Sequence, residues 1–267
     1  MVTLGFLIAC GAGFVITFWG ILIYTMNGTR PHTIFAVAIR NMLTDWRVGK
    51  PATVLLLIMF SDFVESAFDD RITRWLGWDF TPLIHGIEGD LAAVFQVHQS
   101  LLVTCYFTFM YVFAFASMLG AAIAIYAYSK KHNLFRLLGL GYLLNFTVAL
   151  PFYLFFPVKG TWLGNPLAVR PRLDEVSPLI MVYYRILSAD DNCFPSLHTS
   201  LALTLMFVSL KGDNKRFAVL NVIAALSVMY STLYLGIHWV SDVAAGVVLA
   251  MLVCAVLHFK WRQWEKA

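Results

Sequence analysis

Two short stretches carry side chains able to do acid–base or nucleophilic chemistry, and both stand at the edge of long apolar runs. The first is Phe194-Pro195-Ser196-Leu197-His198-Thr199-Ser200. Pro195 suits the first turn of a helix, where its missing N–H is no loss. The amides of Ser196, Leu197 and His198 would then lack intrahelical acceptors and form an anion site. A polar helix cap with an interfacial histidine fits the same residues. The second stretch runs from Ser231 through Thr232, His238 and Asp242. On a helix, His238 and Asp242 share a face. A carboxylate that accepts from one imidazole nitrogen fixes the tautomer and leaves the other nitrogen basic, as a nucleophilic histidine requires. A buried His–Asp pair tying two helices together fits that spacing too. The segment before the first stretch adds Lys159, Arg170, Arg172 and Arg185. Cations, an exposed helix start and two histidines at one place suit a phosphate ester.

The elements that must position these groups are dictated by composition. Of 267 residues, 60% are hydrophobic and 13% charged, about half the roughly 25% charged content of soluble domains. The mean hydropathy is +0.75. A soluble domain of this size cannot hide that much apolar surface, so disorder, a secreted disulfide scaffold and a cytosolic globule are excluded in favour of an integral, multi-pass membrane protein. The net charge of +4 is small and scattered, which argues against nucleic acid as a partner. Cys10, Cys105, Cys193 and Cys254 show neither metal spacing nor a disulfide framework. Seven runs read as candidate membrane helices: 3–26, 51–68, 101–128, 134–158, 197–210, 217–236 and 239–259. The first lacks the basic start and small-residue end of a signal peptide and reads as a span. Segment 31–48 mixes basic and apolar residues like an interfacial helix.

Segments 27–50, 129–136, 211–216 and 260–267 hold 4, 3, 3 and 3 of the 19 Lys/Arg, against 2 and 4 in 69–100 and 159–196. The positive-inside rule therefore puts the C-terminus in the cytoplasm, with both long loops, both chemical stretches and Met1 outside. Tryptophans other than Trp19 fall near span ends, as interfacial belts should.

With these residues in view, the chain resembles the type 2 phosphatidic acid phosphatase (PAP2) superfamily over roughly residues 100–260. Pro195-Ser196-Leu197-His198 is similar to the family's PSGH motif, with Leu in place of Gly. Ser231, His238 and Asp242 fall at the spacing of its SRxxxxxHxxxD motif. The resemblance implies an all-α polytopic membrane bundle, a six-helix PAP2-type core in a catalytic domain at 51–267. An extra span and the interfacial helix occupy 1–50. It further implies His238 as a nucleophile that forms a phosphohistidine, Asp242 as its orienting partner and His198 as the general acid. Ser196, Ser231, Arg170, Lys159 and Arg172 are the expected phosphate-binding residues, and neither metal nor cofactor is expected.

Two departures from the family pattern stand out. Ten residues separate Lys159 from Arg170-Pro171 where the family's first motif has six, and Thr232 replaces the arginine after the motif serine. Arg172 or Arg185 is a candidate replacement. The combination PSLH with STxYLxxHxxxD resembles the inositol phosphorylceramide synthase branch more than plain phosphatases. The expected partner is a lipid phosphate from the bilayer. A polyol or lipid hydroxyl is the acceptor if the phosphoryl group is transferred, and water if it is hydrolysed. Asp62, Glu65, Glu88 and Asp90 could hold a polyol or simply face solvent, and His85 and His98 read as structural. A lipid transporter or a non-catalytic scaffold is the competing class, but no two-fold repeat of interrupted helices supports it.

Overall fold

In the computed structural model, residues 4–98 and 100–266 are described, so the location of Met1 lies outside the described residues. Among them the fold is helical without strands, apart from one isolated bridge between Val158 and Asn192. An N-terminal unit comprises α1 (Leu4–Thr25), α2 (Pro31–Thr44) and α3 (Trp46–Leu76). A short α4 (Thr81–Glu88) and a 3-10 turn (Leu91–Gln96) lead into a long rod. That rod is α5 (Leu101–Phe109) and α6 (Phe115–Tyr128), joined without a break by a π turn at Met110–Ala114. The next long helix is α7 (His132–Phe155). A loop region with the short helices α8 (Thr161–Gly164), α9 (Leu173–Val176) and α10 (Pro178–Leu187) follows. The chain closes with α11 (Leu197–Leu210), α12 (Lys215–Tyr234) and α13 (Val240–Glu265).

Helix ends follow local chemistry. Asp45 accepts from Arg47 N at the start of α3, Ser177 from Leu179 N at α10 and Asn214 from Phe217 N at α12, each using an otherwise orphaned amide. Gly77, left-handed at φ 68°, ends α3. Helix α11 is central and packs against α7, α12 and α13. Asn145 of α7 donates to Thr204 Oγ1 of α11 at 2.9 Å, a polar tie of the kind that joins helices where water is absent.

Five of the seven expected spans coincide with helices long and apolar enough to cross a membrane: α1, the α5–α6 rod, α7, α12 and α13. The other two differ. Helix α11 is apolar but only 14 residues long. Helix α3 has length to spare at 31 residues, yet Asp62, Glu65, Arg71 and Arg74 leave its C-terminal half too polar. The expected interfacial helix ends at Thr44 as α2, with Ile34, Ala38 and Asn41 buried against the bundle. There Asn41 Nδ2 donates to the Ala127 carbonyl at the end of α6.

Candidate active site

Helix α12 ends one turn before His238, and the connecting loop is pinned from two sides. The Thr232 carbonyl accepts from the amides of Ile237 (3.0 Å) and His238 (3.1 Å). Gly236 has φ 75°, and a Cβ there would lie 2.6 Å from the Arg170 carbonyl oxygen, so the turn requires glycine. Helix α13 then starts at Val240 with Asp242 in its first turn. Asp242 Oδ2 accepts from Trp239 N at 2.9 Å and lies 3.3 Å from His238 Nδ1. Trp239 is fully buried and donates from Nε1 to the Lys159 carbonyl at 2.8 Å. Asp242 is buried too, and its Oδ1 has no hydrogen-bond partner. Burial pushes the His238 imidazole down to about 4, against the opposing pull of a hydrogen bond at the Cys193 backbone. The ring is therefore neutral near pH 7. A carboxylate facing Nδ1 draws the proton to that atom and leaves the Nε2 lone pair for chemistry.

His198 is the second residue of α11, and the start of that helix is fastened to α13. Ser196 N donates to the Asp242 carbonyl at 3.0 Å, and Tyr153 Oη donates to the Pro195 carbonyl at 2.9 Å. Gly246 of α13 allows this approach: a Cβ there would sit 2.5 Å from the Ser196 carbonyl oxygen. The His198 ring stacks on Tyr111, centroids 4.4 Å apart, and leans on Phe115 at 5.4 Å. Tyr111 belongs to the π turn, which re-aims side chains in the middle of an otherwise regular rod. The two imidazole centroids are 6.3 Å apart. They border one pocket of about 380 Å³, walled largely by Tyr111, Phe115, Tyr153 and Tyr184, with Asn192 and Ser188 as polar lining.

The structure brings His198, His238 and Asp242 together, with the Ser196 backbone beside them, but it places the expected cations elsewhere. Lys159 Nζ is paired with Asp79 Oδ2 at 2.6 Å. Arg170 is exposed, and its backbone is held by the Gln96 side chain. Arg172 is 2% exposed, so its charge needs acceptors, which Glu175 and the Gln96 carbonyl supply while Tyr234 covers its face. Arg185 stands 3.7 Å from Asp190 and lies over Trp162. Among the described residues that line the histidine pocket there is no Lys or Arg. The two motif serines are engaged locally as well. Ser196 Oγ caps α11 by accepting from Thr199 N, and Ser231 Oγ donates to the Val228 carbonyl. Thr232, at the family's arginine position, is fully buried and donates to the Met229 carbonyl.

The acidic residues also divide. Asp62 lines the pocket, and Glu65 is buried on the same helix. Glu88, whose carboxyl is pushed up by burial, instead accepts from Ser241 N at the start of α13, and Asp90 accepts from Asn165. His85 leans on the Trp239 ring. Sequence reasoning missed Tyr111, Tyr153 and Cys193. Cys193 Sγ, a His238 nitrogen and an Asp242 oxygen lie within 4.8 Å of one another, an S, N, O set able to hold a soft divalent cation. A cation there would compete for the carboxylate that orients His238. No cysteine spacing signals this cluster, because Cys193 comes from the loop before α11 while His238 and Asp242 stand at the start of α13, far along the chain.

The geometry alone shows a His–Asp pair facing a second histidine, and comparison with known proteins adds a family match. Residues 141–266 match the PAP2 superfamily. The match runs from within α7 to the end of α13 and contains His198, His238, Asp242, Tyr153 and Cys193, whereas Asp62, Tyr111 and Phe115 of the same pocket lie before it. The chain is also similar to an uncharacterized protein of Methanocaldococcus jannaschii, 29% identical over 158 residues, which is 58% of this chain and 62% of that protein. The chain thus spans less than two thirds of that relative's length. No solved structure matches.

Proposed function

We propose that the protein cleaves or transfers the phosphate ester of a membrane lipid at the extracytoplasmic leaflet, through a phosphohistidine on His238. The observation that carries this reading is the pair of imidazoles, 6.3 Å between centroids, bordering one pocket, with His238 alone, among the described residues, paired with a carboxylate. That asymmetry divides the labour. His238 Nε2 attacks phosphorus as the P–O bond to the leaving group breaks, and His198 gives its proton to the leaving oxygen. Asp242 accepts from Nδ1–H and stabilises the positive charge that the ring acquires. In the second step His198 takes a proton from the incoming hydroxyl, whose oxygen attacks phosphorus and breaks the P–N bond.

The phosphate charge is met by Asn192 and by the α11 amides that stay free once Ser196 N and Thr199 N are bonded, and the arriving anion favours the proton on His198 that the acid step uses. The aromatic walls suit a substrate arriving from the bilayer with its apolar part attached. Water as acceptor gives hydrolysis, and a polyol or lipid hydroxyl gives headgroup transfer. The PSLH and STxYLxxHxxxD pattern favours transfer of an inositol phosphate-like group. Asp62, which lines the pocket, supplies a carboxylate able to hold an acceptor hydroxyl.

Purified protein given labelled phosphatidate, or labelled inositol phospholipid with a lipid alcohol, is expected to release phosphate or form a new phospholipid. The His238→Ala variant is expected to lose turnover by at least about 10³-fold and to trap no acid-labile phosphoryl group. Full activity in that variant would overturn the assignment. Inorganic phosphate as sole product would favour hydrolysis over transfer.

A further inference from the structure

At the end of the bundle opposite the histidines, three of the four basic segments meet around a second cleft. The N-terminus of α3 supplies Trp46, Arg47 and Lys50, the N-terminus of α7 supplies His132 and Arg136, and the C-terminus of α13 supplies Trp264. The cleft measures about 690 Å³, and its described lining residues include no Asp or Glu. Helix α7, with 24 residues, separates it from the histidine end by about 36 Å.

Several independent features point to an anionic ligand here. Three cations converge, although like charges repel when no counter-charge lies between them. Two helix starts, those of α3 and α7, border the cleft, and the first-turn amides of α7 receive no side-chain cap. His132 Nδ1 is shielded from solvent and has no hydrogen-bond partner. Asp45, an acidic group beside the cleft, caps α3 and lies 3.9 Å from His132 Nε2. Other features point to an amphiphile. Arg136 lies 4.1 Å over the Trp264 ring and Arg47 lies over Trp46, an arrangement suited to the headgroup level of a bilayer. Past these polar groups the wall continues as Val54, Leu140 and Leu143.

We propose that this cleft binds an anionic phospholipid, with its phosphate against Arg47, Lys50 and Arg136 and an acyl chain along Val54, Leu140 and Leu143. Basic pockets between membrane helices are known sites for such headgroups. The ligand is a bound lipid of the leaflet at this end, distinct from the substrate at the histidine pocket, and the proposal does not depend on the activity proposed above.

The test uses the full chain, extracted from vesicles of equal parts phosphatidylglycerol and phosphatidylcholine, with retained lipids counted by native mass spectrometry. The wild-type protein is expected to keep phosphatidylglycerol in preference to phosphatidylcholine. The Arg47→Gln/Lys50→Gln/Arg136→Gln variant should lose that preference by about tenfold or more. All three side chains are exposed, so the fold is not at risk, and a melting curve in lipid-free detergent checks this. The control Lys130→Gln/Lys215→Gln/Arg262→Gln removes the same charge from the same end and should retain the preference. His238→Ala should retain it too. Equal retention by the triple variant and the control would overturn the proposal. So would loss of the preference in His238→Ala, or displacement of the lipid by inorganic phosphate alone.

Discussion

The functional character of His238 comes from what surrounds it. An imidazole in water is half protonated near pH 6.5, and a protonated ring has no lone pair for phosphorus. Burial disfavours the cation and moves the His238 transition down to about 4. The sign is therefore protective: as pH falls from 7, the nucleophile stays neutral through the range in which an exposed histidine is lost. The acid limb of kcat/KM is expected below pH 5 rather than at 6.5, measured on a soluble short-chain lipid phosphate so that micelle charge does not intervene. An acid limb at 6.5 or above would mean that the ring is solvated in the working enzyme. The His238–Asp242 and Ser196–His198 groupings were legible in the sequence because each lies within about one helical turn. The cations were legible only as residue types. Two of their partners come from afar in the chain, the Gln96 carbonyl for Arg172 and Asp79 for Lys159, while Glu175 and Asp190 stand close in sequence to Arg172 and Arg185. The contact of Tyr111 with His198 left no sequence signal, since no local spacing links positions 87 residues apart.

Among the elements, the junction of α11 with α13 decides whether the two histidines meet. Ser196 N to the Asp242 carbonyl joins the helix starts, and Gly246 lets the backbones close up. A methyl group at Gly246 meets main-chain oxygen rather than the far end of a flexible side chain, so a helix must shift. Gly246→Ala is expected to cost about 1–3 kcal/mol of stability. It should also lower kcat at least tenfold with a smaller change in KM, because a misplacement near 1 Å at the reacting groups costs more than binding does. Thermal melting and initial-rate measurements read the two effects separately, and unchanged kcat would show that the junction tolerates spreading. Apolar runs revealed the long helices: 101–128 was expected as one span, and the α5–α6 rod has those limits. The π turn inside it was invisible, since one extra residue per turn changes no composition. Helices α8 and α9 were also missed, because at four residues each they are too short to show a period. Helix α3 was expected only over 51–68, since its polar ends interrupt the apolar run that defines a span.

On the scale of the whole molecule, charge and geometry agree about the two ends of the bundle. The four basic segments are far apart in sequence yet touch in the fold. Asp45 lies 3.9 Å from His132 Nε2, Lys131 pairs with Asp213, Arg136 covers Trp264, and Asn214 and Arg216 donate to the Thr25 and Tyr24 carbonyls just before the first segment. The histidine pocket lies toward the other end, near the loops 69–100 and 159–196. An end rich in Lys and Arg stays in the cytoplasm during insertion, so the histidine end should face out. In a Cys105→Ser background, which removes the exposed native thiol, Leu167→Cys offers a fully exposed reporter in the second long loop. Lys260→Cys reports on the basic end. A membrane-impermeant maleimide added to intact cells is expected to label the Leu167→Cys variant, and the Lys260→Cys variant only after permeabilisation. The reverse pattern would leave the His–His–Asp chemistry standing but turn its pocket to the cytoplasm, and the substrate would then be drawn from the inner leaflet.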